Sequence, residues 1–362
     1  MFAPNFTLTP KILRALMAIE ADRQIVASIP LAPPMLEALR RTARLLATHL
    51  STQIEGNRLT RDQVRAVVEG EGNFPGRERD EAEVKNYFAA LEFVEQLSRK
   101  KSNLTERTVQ TIHGWVMLGK GKPSPYRRGQ NVIRDQRSGR TVYLPPEAKD
   151  VSGLMAELIR WVNANVRSRE WPVPVIAGLA HYQFATIHPY FDGNGRTARI
   201  LTNLLMHRGG YGLNGIYSLE EYYAANLEGY YAGLSVGPSH NYYFGRAEAD
   251  VTPFLEYFLS GMSEAFGKVR GRAEEFRGHG DTWADSELRQ LSPQQRHALG
   301  LFRKQVAVTS REIASFFSLT PRAATALCRK WVASGFLRID NPSTKARSFR
   351  LAPRFEQTLR ND

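Results

Sequence analysis

Cysteine is almost absent from the 362-residue chain: Cys328 is the only one. An intrachain disulfide and any multi-cysteine zinc site are thereby excluded, and a single thiol fits a reducing compartment. No apolar run reaches the ~18–20 residues that span a bilayer, so no membrane partner is expected. The opening stretch, MFAPNFTLTPKILRALMAIE, lacks a basic segment followed by an apolar one, so no signal peptide is expected. Together these absences give the expectation of a cytoplasmic protein. No internal repeat or low-complexity tract is visible. No Gly-x-x-x-x-Gly-Lys-Ser/Thr loop occurs, which argues against a P-loop enzyme.

What is present is ordinary soluble composition: 42% apolar and 23% charged residues, enough for a real core. The length allows two or three domains. Net charge is +13 and unevenly placed. From Glu287 to Asp362 there are fourteen Lys and Arg against five acids, a balance of +9, so the basic character belongs to the C-terminal part.

Periodicity reads as helix almost throughout. Leu36, Leu39, Ala43, Leu46, Leu50 and Ile54 recur in steps of three and four, one apolar face of a helix over Met35–Ile54. Gly56 offers a cap at its end. Thr60-Arg61-Asp62-Gln63 has the form of a capping box. Further helices are expected over Arg79–Arg99, Leu104–Leu118, Val151–Val166, Pro174–Ile187 and Thr197–His207. The Gly-, Pro- and Arg-rich stretch Pro123–Pro146 holds two short extended runs, Asn131–Ile133 and Thr141–Leu144, and predicts a β-hairpin. Gly271–Ser286 reads as a linker. Beyond it, helices over Pro293–Arg303, Ser310–Phe316 and Pro321–Ala333 precede a hairpin of Phe336–Ile339 and Ser348–Leu351, the pattern of a winged helix. Trp331, Phe336 and Phe349 read as its core. Pro321–Ala333, with Arg322, Arg329 and Lys330, would be its recognition helix, open to DNA phosphates or to a protein.

The stretch HPYFDGNGRTAR, His188–Arg199, concentrates chemistry. Gly193-Asn194-Gly195 before a helix can turn backbone N–H groups toward an anion. Arg196 and Arg199 are suited to phosphate oxygens. Asp192 can hold Mg²⁺ beside phosphates, and His188 can take a proton from an attacking hydroxyl. The set describes phosphoryl or nucleotidyl transfer from a Mg²⁺–nucleotide. The same residues match the dinucleotide fingerprint G-x-G-x-x-A, but the preceding stretch reads as helix instead of strand. A plain turn would leave the flanking His and paired Arg unexplained. His181 and His188 have the wrong spacing for a zinc site of the H-E-x-x-H kind.

Residues 188–199 resemble the signature of Fic-domain proteins, His-x-Phe-x-Asp/Glu-Gly-Asn-Gly-Arg-x-x-Arg. Tyr190 stands where the family usually has Phe, a conservative change at a packing position. Thr141–Trp161 is similar to the family's flap and following helix, and the resemblance covers roughly residues 30–265. It implies a protein adenylyltransferase of the EC 2.7.7 type, which transfers AMP from ATP to a hydroxyl of Ser, Thr or Tyr on a target protein and on itself. His188 would be the general base and Asp192 the Mg²⁺ ligand. Gly193, Asn194 and Gly195 would form the anion hole, with Arg196 on the phosphates and Arg199 on the γ-phosphate. The flap, Arg140, Thr141, Val142, Tyr143 and Leu144, would pair with an extended segment of the target. Tyr222, Asn226, Tyr230 and Tyr231 fall where the family builds its adenine pocket. The related Doc branch, a kinase, has a changed triplet; the intact Gly-Asn-Gly here favours nucleotide transfer.

Ser51-Thr52-Gln53-Ile54-Glu55-Gly56 resembles the family's inhibitory helix, in which Glu55 would pair with Arg199 and, with Ser51, keep it from the γ-phosphate. In some relatives the same glutamate supports removal of AMP. The expected architecture is all-α, a mainly helical Fic fold with a small β-hairpin flap, plus a C-terminal winged helix-turn-helix domain. Its expected boundaries are 1–95 for a helical region carrying the inhibitory helix, 96–270 for the catalytic core, 271–286 for the linker and 287–362 for the winged helix. Two alternatives stay open: a DNA-binding regulator that senses nucleotide without transferring it, and transfer of UMP, GMP or phosphocholine. The oligomeric state is also open, a homodimer included.

Overall fold

The computed structural model describes residues 2–29, 33–100, 102–134, 139–279, 291–302, 305–317, 319–343, 347–353 and 355–356. By contacts the chain divides into two compact units, Met1–Ser28 with Leu39–Gly271, and Ile29–Ala38 with Arg272–Asp362.

The first unit is helical. Its elements are α1 (Pro10–Ser28), α2 (Pro33–Ile54), α3 (Arg61–Glu69), α4 (Glu78–Ser98) and α5 (Glu106–Leu118). A two-stranded antiparallel hairpin follows, β1 (Ile133–Arg134) and β2 (Thr141–Tyr143), with Ile133 opposite Tyr143. Next come α6 (Ala148–Ser168), α7 (Val173–Ile187), α8 (Asn194–Arg208), α9 (Glu220–Ala225), α10 (Leu227–Leu234) and α11 (Thr252–His279). The capping box at Thr60 forms, with Thr60 and Gln63 exchanging side-chain and backbone bonds. The hairpin strands are shorter than the runs suggested, and the residues expected to form its turn, 135–138, lie outside the described ones.

At the centre stands α7. Its sequence, VPVIAGLAHYQFATI, is apolar nearly all round, which makes it a core helix. It packs on α6 and on α8, and α8 also packs on α4 and α5. α8 is itself buried from Arg196 to Met206, so charged residues in its first turns are set inside the protein. Gly178 lets α11 approach α7: a Cβ there would lie 2.8 Å from the Phe258 ring.

Three expectations meet a different structure. The apolar face read on α2 predicts Leu46, Leu50 and Ile54 as its buried stripe. They are only half-buried, though Ala43 of the same stripe is buried, and Ala47, Thr48, Ser51 and Thr52 are the buried positions beside them. Burial of hydroxyls is tolerated because Thr48 donates to Arg44 O and Thr52 to Thr48 O. The stretch read as a linker from Gly271 begins inside α11, which runs to His279, and residues 280–290 lie outside the described ones. The boundary expected at 95/96 falls within α4.

The second unit contains α12 (Pro293–Phe302), β3 (Val308–Thr309), α13 (Ser310–Phe317), α14 (Pro321–Ala333), β4 (Leu337–Asn341) and β5 (Ser348–Leu351). The strands form an antiparallel sheet in the order β3-β5-β4. Thr320 caps α14 by accepting from Ala323 N. Trp331, Phe336 and Phe349 lie in the core of this unit with Cys328, Ile313 and Leu351. Among the described residues no helix is long and apolar enough to cross a membrane.

Candidate functional site

α7 ends at His188, whose φ of 51° is left-handed and stops the helix. Its Nδ1 lies 3.3 Å from Ala185 O. A carbonyl only accepts, so Nδ1 carries the proton and Nε2 presents its lone pair. Burial is the main cause that pushes the His188 pKa down to about 4, so the ring is neutral near pH 7.

The loop from His188 to α8 is braced from within. Asn194 Oδ1 accepts from Tyr190 N at 3.0 Å, and Asn194 Nδ2 donates to Tyr190 O at 2.8 Å. The Asn194 side chain therefore belongs to the loop, and an anion would meet the backbone. α8 starts at Asn194, three residues earlier than the sequence suggests, so Asn194 and Gly195 stand in its first turn, where N–H groups have no intrahelical acceptor. Gly193 is left-handed, with φ 74°, and its N–H donates to Asp192 Oδ1 at 2.6 Å. The Asp192 carboxylate also accepts from Arg196 at 3.1 Å and is half-exposed, at 52%. Arg196 itself is turned inward, between Asp192 and Glu83 of α4 at 3.6 Å.

Arg199 is buried one turn further on, with its side chain 1% exposed. Its Nε donates to Ser51 Oγ at 2.7 Å, and Nη2 donates to Ser51 O at 3.0 Å and to Glu55 Oε1 at 2.8 Å. Burial lowers its pKa, but Glu55, Tyr230 and Tyr87 more than offset this, and the net direction is up. Glu55 leaves α2 just before Gly56, whose φ of 95° turns the chain. The Glu55 carboxylate then sits over the start of α8: a Cβ added to Gly195 would lie 2.3 Å from Glu55 Oε1. Residues 144 positions apart are thus joined where α2 ends and α8 begins.

The four residues expected at an adenine pocket lie together on α9 and α10. The Tyr222 ring lies 5.1 Å from that of Tyr257, and Asn226 Nδ2 donates to Tyr222 O. Tyr230 is buried and hydrogen-bonded to His181 Nε2 at 2.8 Å. Its hydroxyl is thus spent on the core histidine and does not line an open wall. Tyr231 is half-exposed beside it. His181 proves to be a satisfied core histidine, bonded to Thr202 and Tyr230.

In the hairpin, Arg140, Thr141 and Val142 are exposed. Tyr143 is buried, and its hydroxyl donates to Thr186 O at 2.7 Å, which ties the hairpin to the end of α7. Leu144 differs from the expectation for a target-pairing residue: its N–H donates to His240 O and its C=O accepts from Tyr242 N. Its backbone is already paired within the chain. A cleft of about 510 Å³ lies beside this end of the hairpin, with Arg128, Gly129, Leu144 and Tyr243 in its walls.

Sequence reasoning missed Arg127. It is buried and donates to His188 O at 3.0 Å, to Gly129 O at 3.0 Å and to Pro146 O, so it joins the loop at His188 to the hairpin. Nothing in its spacing marks it. His113 was also missed; it bonds Asp192 O at 3.0 Å and stacks on Tyr190.

Comparison with known proteins agrees with this layout. Residues 103–206 match the family described as Fic/DOC. The protein adenylyltransferase Fic of Drosophila yakuba is 31% identical over 202 residues, 55% of this chain and 39% of that protein. The Drosophila melanogaster protein of the same name gives the same figures. The chain thus spans about 39% of the length of these relatives. Among solved structures, a Fic family protein from Desulfovibrio desulfuricans covers 97% of this chain and 99% of its own, at 24% identity and a TM-score of 0.60, a likeness of fold. A Fic-1 fragment from C. elegans covers 73% of each chain, at 25% identity and a TM-score of 0.59.

Proposed function

We propose that the chain is an autoinhibited protein adenylyltransferase. It transfers AMP from ATP to a Ser, Thr or Tyr hydroxyl of a target protein and of itself. The target oxygen attacks the α-phosphorus, the bond from that phosphorus to the β-phosphate bridge breaks, and pyrophosphate leaves. His188 Nε2 takes the hydroxyl proton, which is the task of a neutral imidazole with its other nitrogen already bonded. The free N–H groups at the start of α8 receive phosphate oxygens, with Arg196 beside them. Tyr222, Asn226 and Tyr231 form the adenine side.

Asp192 fits a Mg²⁺ ion: a half-exposed carboxylate beside an anion site is the donor such an ion uses together with phosphates. Among the described residues no cluster of three His, Cys, Asp or Glu side chains forms a closed metal cage, and this role does not require one. When bound, the ion would neutralise phosphate charge.

The observation that carries the reading is the place of Glu55. Its carboxylate lies against Gly195 and on Arg199, over the mouth of the anion site. A phosphate seated there would meet a like charge, and Arg199 would be occupied. The geometry thus supports a brake and explains why it would release only when Glu55 moves. A carboxylate beside the nucleotide's phosphates can also serve as base to a water, which supports removal of AMP by the braked form. The decisive experiment incubates wild type, Glu55→Gly and Glu55→Gly/His188→Ala proteins with separate nucleotides and reads intact mass. A gain of one AMP unit only in Glu55→Gly supports the reading. A gain of UMP, GMP or phosphocholine instead would replace the donor.

The target would dock along the outer edge of β2 over Thr141–Tyr143, since Leu144 is already paired. A second reading concerns the C-terminal unit, whose order of helices and sheet supports a winged helix. Along α14, Arg322, Arg329 and Lys330 are exposed on the side opposite Ala324, Cys328 and Trp331, and the helix has no acid. The described acids of residues 291–356 are engaged elsewhere, Asp340 with Arg350, Glu356 with Arg338 and Glu312 with Thr309. That uncompensated positive face supports contact with duplex DNA phosphates.

A further inference from the structure

Arg127 is a buried cation that no step of the transfer uses. It is 4% exposed, and among the described residues no carboxylate forms an ion pair with it. Burial lowers its pKa, yet an arginine stays charged in a protein. A buried charge without a counter-charge is costly, so where its donors go is a physical question.

All three nitrogens of the guanidinium go to main-chain carbonyls. Nε donates to His188 O at 3.0 Å, Nη1 to Gly129 O at 3.0 Å and Nη2 to Pro146 O. Gly129 precedes β1 and Pro146 follows β2, so one side chain ties both limbs of the hairpin to the end of α7. The Arg127 backbone N–H donates to Pro189 O at 2.9 Å, and Asn131 Nδ2 donates to Tyr190 O at 3.2 Å. Three successive carbonyls, of His188, Pro189 and Tyr190, thus accept from Arg127 and Asn131. Gln130 Nε2 donates to Pro145 O at 3.0 Å and closes the foot of the hairpin.

His188 needs such a brace. Its φ of 51° is a left-handed conformation, which a residue with a side chain keeps only where its surroundings fix it. The bond to Ala185 O sets the rotation of the ring, and the bond from Arg127 sets the main chain from which the ring projects. We infer that Arg127 is a positioning residue for the transfer: one guanidinium fixes the main chain at His188 and both limbs of the hairpin, so that the base and a target docked on β2 keep one register. The inference rests on the reading of His188 as the base. A proton passes only over hydrogen-bond reach, about 2.6–3.2 Å, so a hairpin free to shift would carry the target hydroxyl away from Nε2. The flat fork of an arginine can hold three carbonyls in fixed directions, whereas lysine is a point charge on a flexible stem.

The test places Arg127→Lys and Arg127→Met in the Glu55→Gly protein and measures self-labelling at saturating α-labelled ATP with Mg²⁺. Titration calorimetry measures Mg·ATP binding by the same variants with His188→Ala added to stop turnover. Both substitutions are expected to lower the rate about a hundredfold, the scale of a 1 Å misplacement, with the affinity for Mg·ATP unchanged. General packing damage would weaken nucleotide binding as well. A loss of affinity that matches the loss of rate, or an unchanged rate in either variant, overturns the inference. Glu55→Gly/His188→Ala is the control: if it still labels itself, the base reading falls, whatever Arg127 does. Arg127→Lys keeps the charge and most of the stem, so it carries the test if Arg127→Met does not fold.

Discussion

Replacing Glu55 should raise activity while lowering stability, and the size of both effects follows from one contact. The Arg199–Glu55 bond is 2.8 Å long, with the arginine side chain 1% exposed and the glutamate 30%. One wet side of the carboxylate keeps the pair well below the strength of a fully buried one. A charge-assisted hydrogen bond of this kind contributes about 1.5–3 kcal/mol. The other two bonds of Arg199, both to Ser51, survive the substitution. If that energy separates the braked from the competent arrangement, its loss raises self-labelling roughly 10- to 150-fold, at about 1.4 kcal/mol per factor of ten. The same loss lowers the melting temperature by several degrees, at about 2–4 °C per kcal/mol for a unit of this size. Glu55→Gln keeps the shape and one acceptor and should fall between. Initial rates with α-labelled ATP and Mg²⁺, beside thermal melts, give both readouts. Equal rates in wild type, Gln and Gly proteins, with His188→Ala silent, would refute the brake.

Three further outcomes are expected. His113, His181 and His188 have pKa values pushed down to about 4, about 3 and about 4, with burial the main cause in each. Below the usual ~6.5 the unfolded chain binds protons that the folded chain refuses, so stability is complete above that pH and is lost as pH falls toward 4. Melting curves over this window should show the loss, and His181→Gln should flatten it. For the same reason the rate of Glu55→Gly should show no inflection at 6.5, which a solvent-exposed histidine base would give. Cys328 is buried, and burial pushes its thiol up to about 11. A thiol reagent at mild alkaline pH should modify the native protein about a hundredfold more slowly than the denatured chain, and equal rates would contradict the core assignment. For α14, fluorescence anisotropy with random duplex DNA should give a plot of log affinity against log salt with a slope near −3 from three phosphate contacts, abolished by alanine at Arg322, Arg329 and Lys330. Salt-independent binding, or none, would leave that face to a protein partner.

Much was legible in the chain itself. Helices announce themselves by period, and the start of α3 by the capping chemistry that follows Thr60. His188–Arg199 is legible because its parts are local: a helix stop, a Gly-rich loop and the next helix must be contiguous to make an anion site. Even the pair of Glu55 with Arg199 could be anticipated, because the short motif around Glu55 resembles one that performs that task. The direction of burial was not legible. On α2 the apolar stripe buries Ala43 but leaves Leu46, Leu50 and Ile54 half-buried, while Thr48 and Thr52 are buried with their hydroxyls bonded to the helix backbone.

Only the tertiary structure decided which groups surround Arg199. Ser51, Tyr87 and Tyr230 come from three helices, and no spacing relates them, because each is chosen by where packing brings its helix. Arg127 and His113 are similar cases, single side chains that bind backbone carbonyls of the loop between α7 and α8 from distant segments. Sequence alone determined what the chemistry needs, because a local motif must carry its own base and anion site. Packing determined what holds that chemistry still, because a buried charge is satisfied by whatever neighbours the fold brings to it.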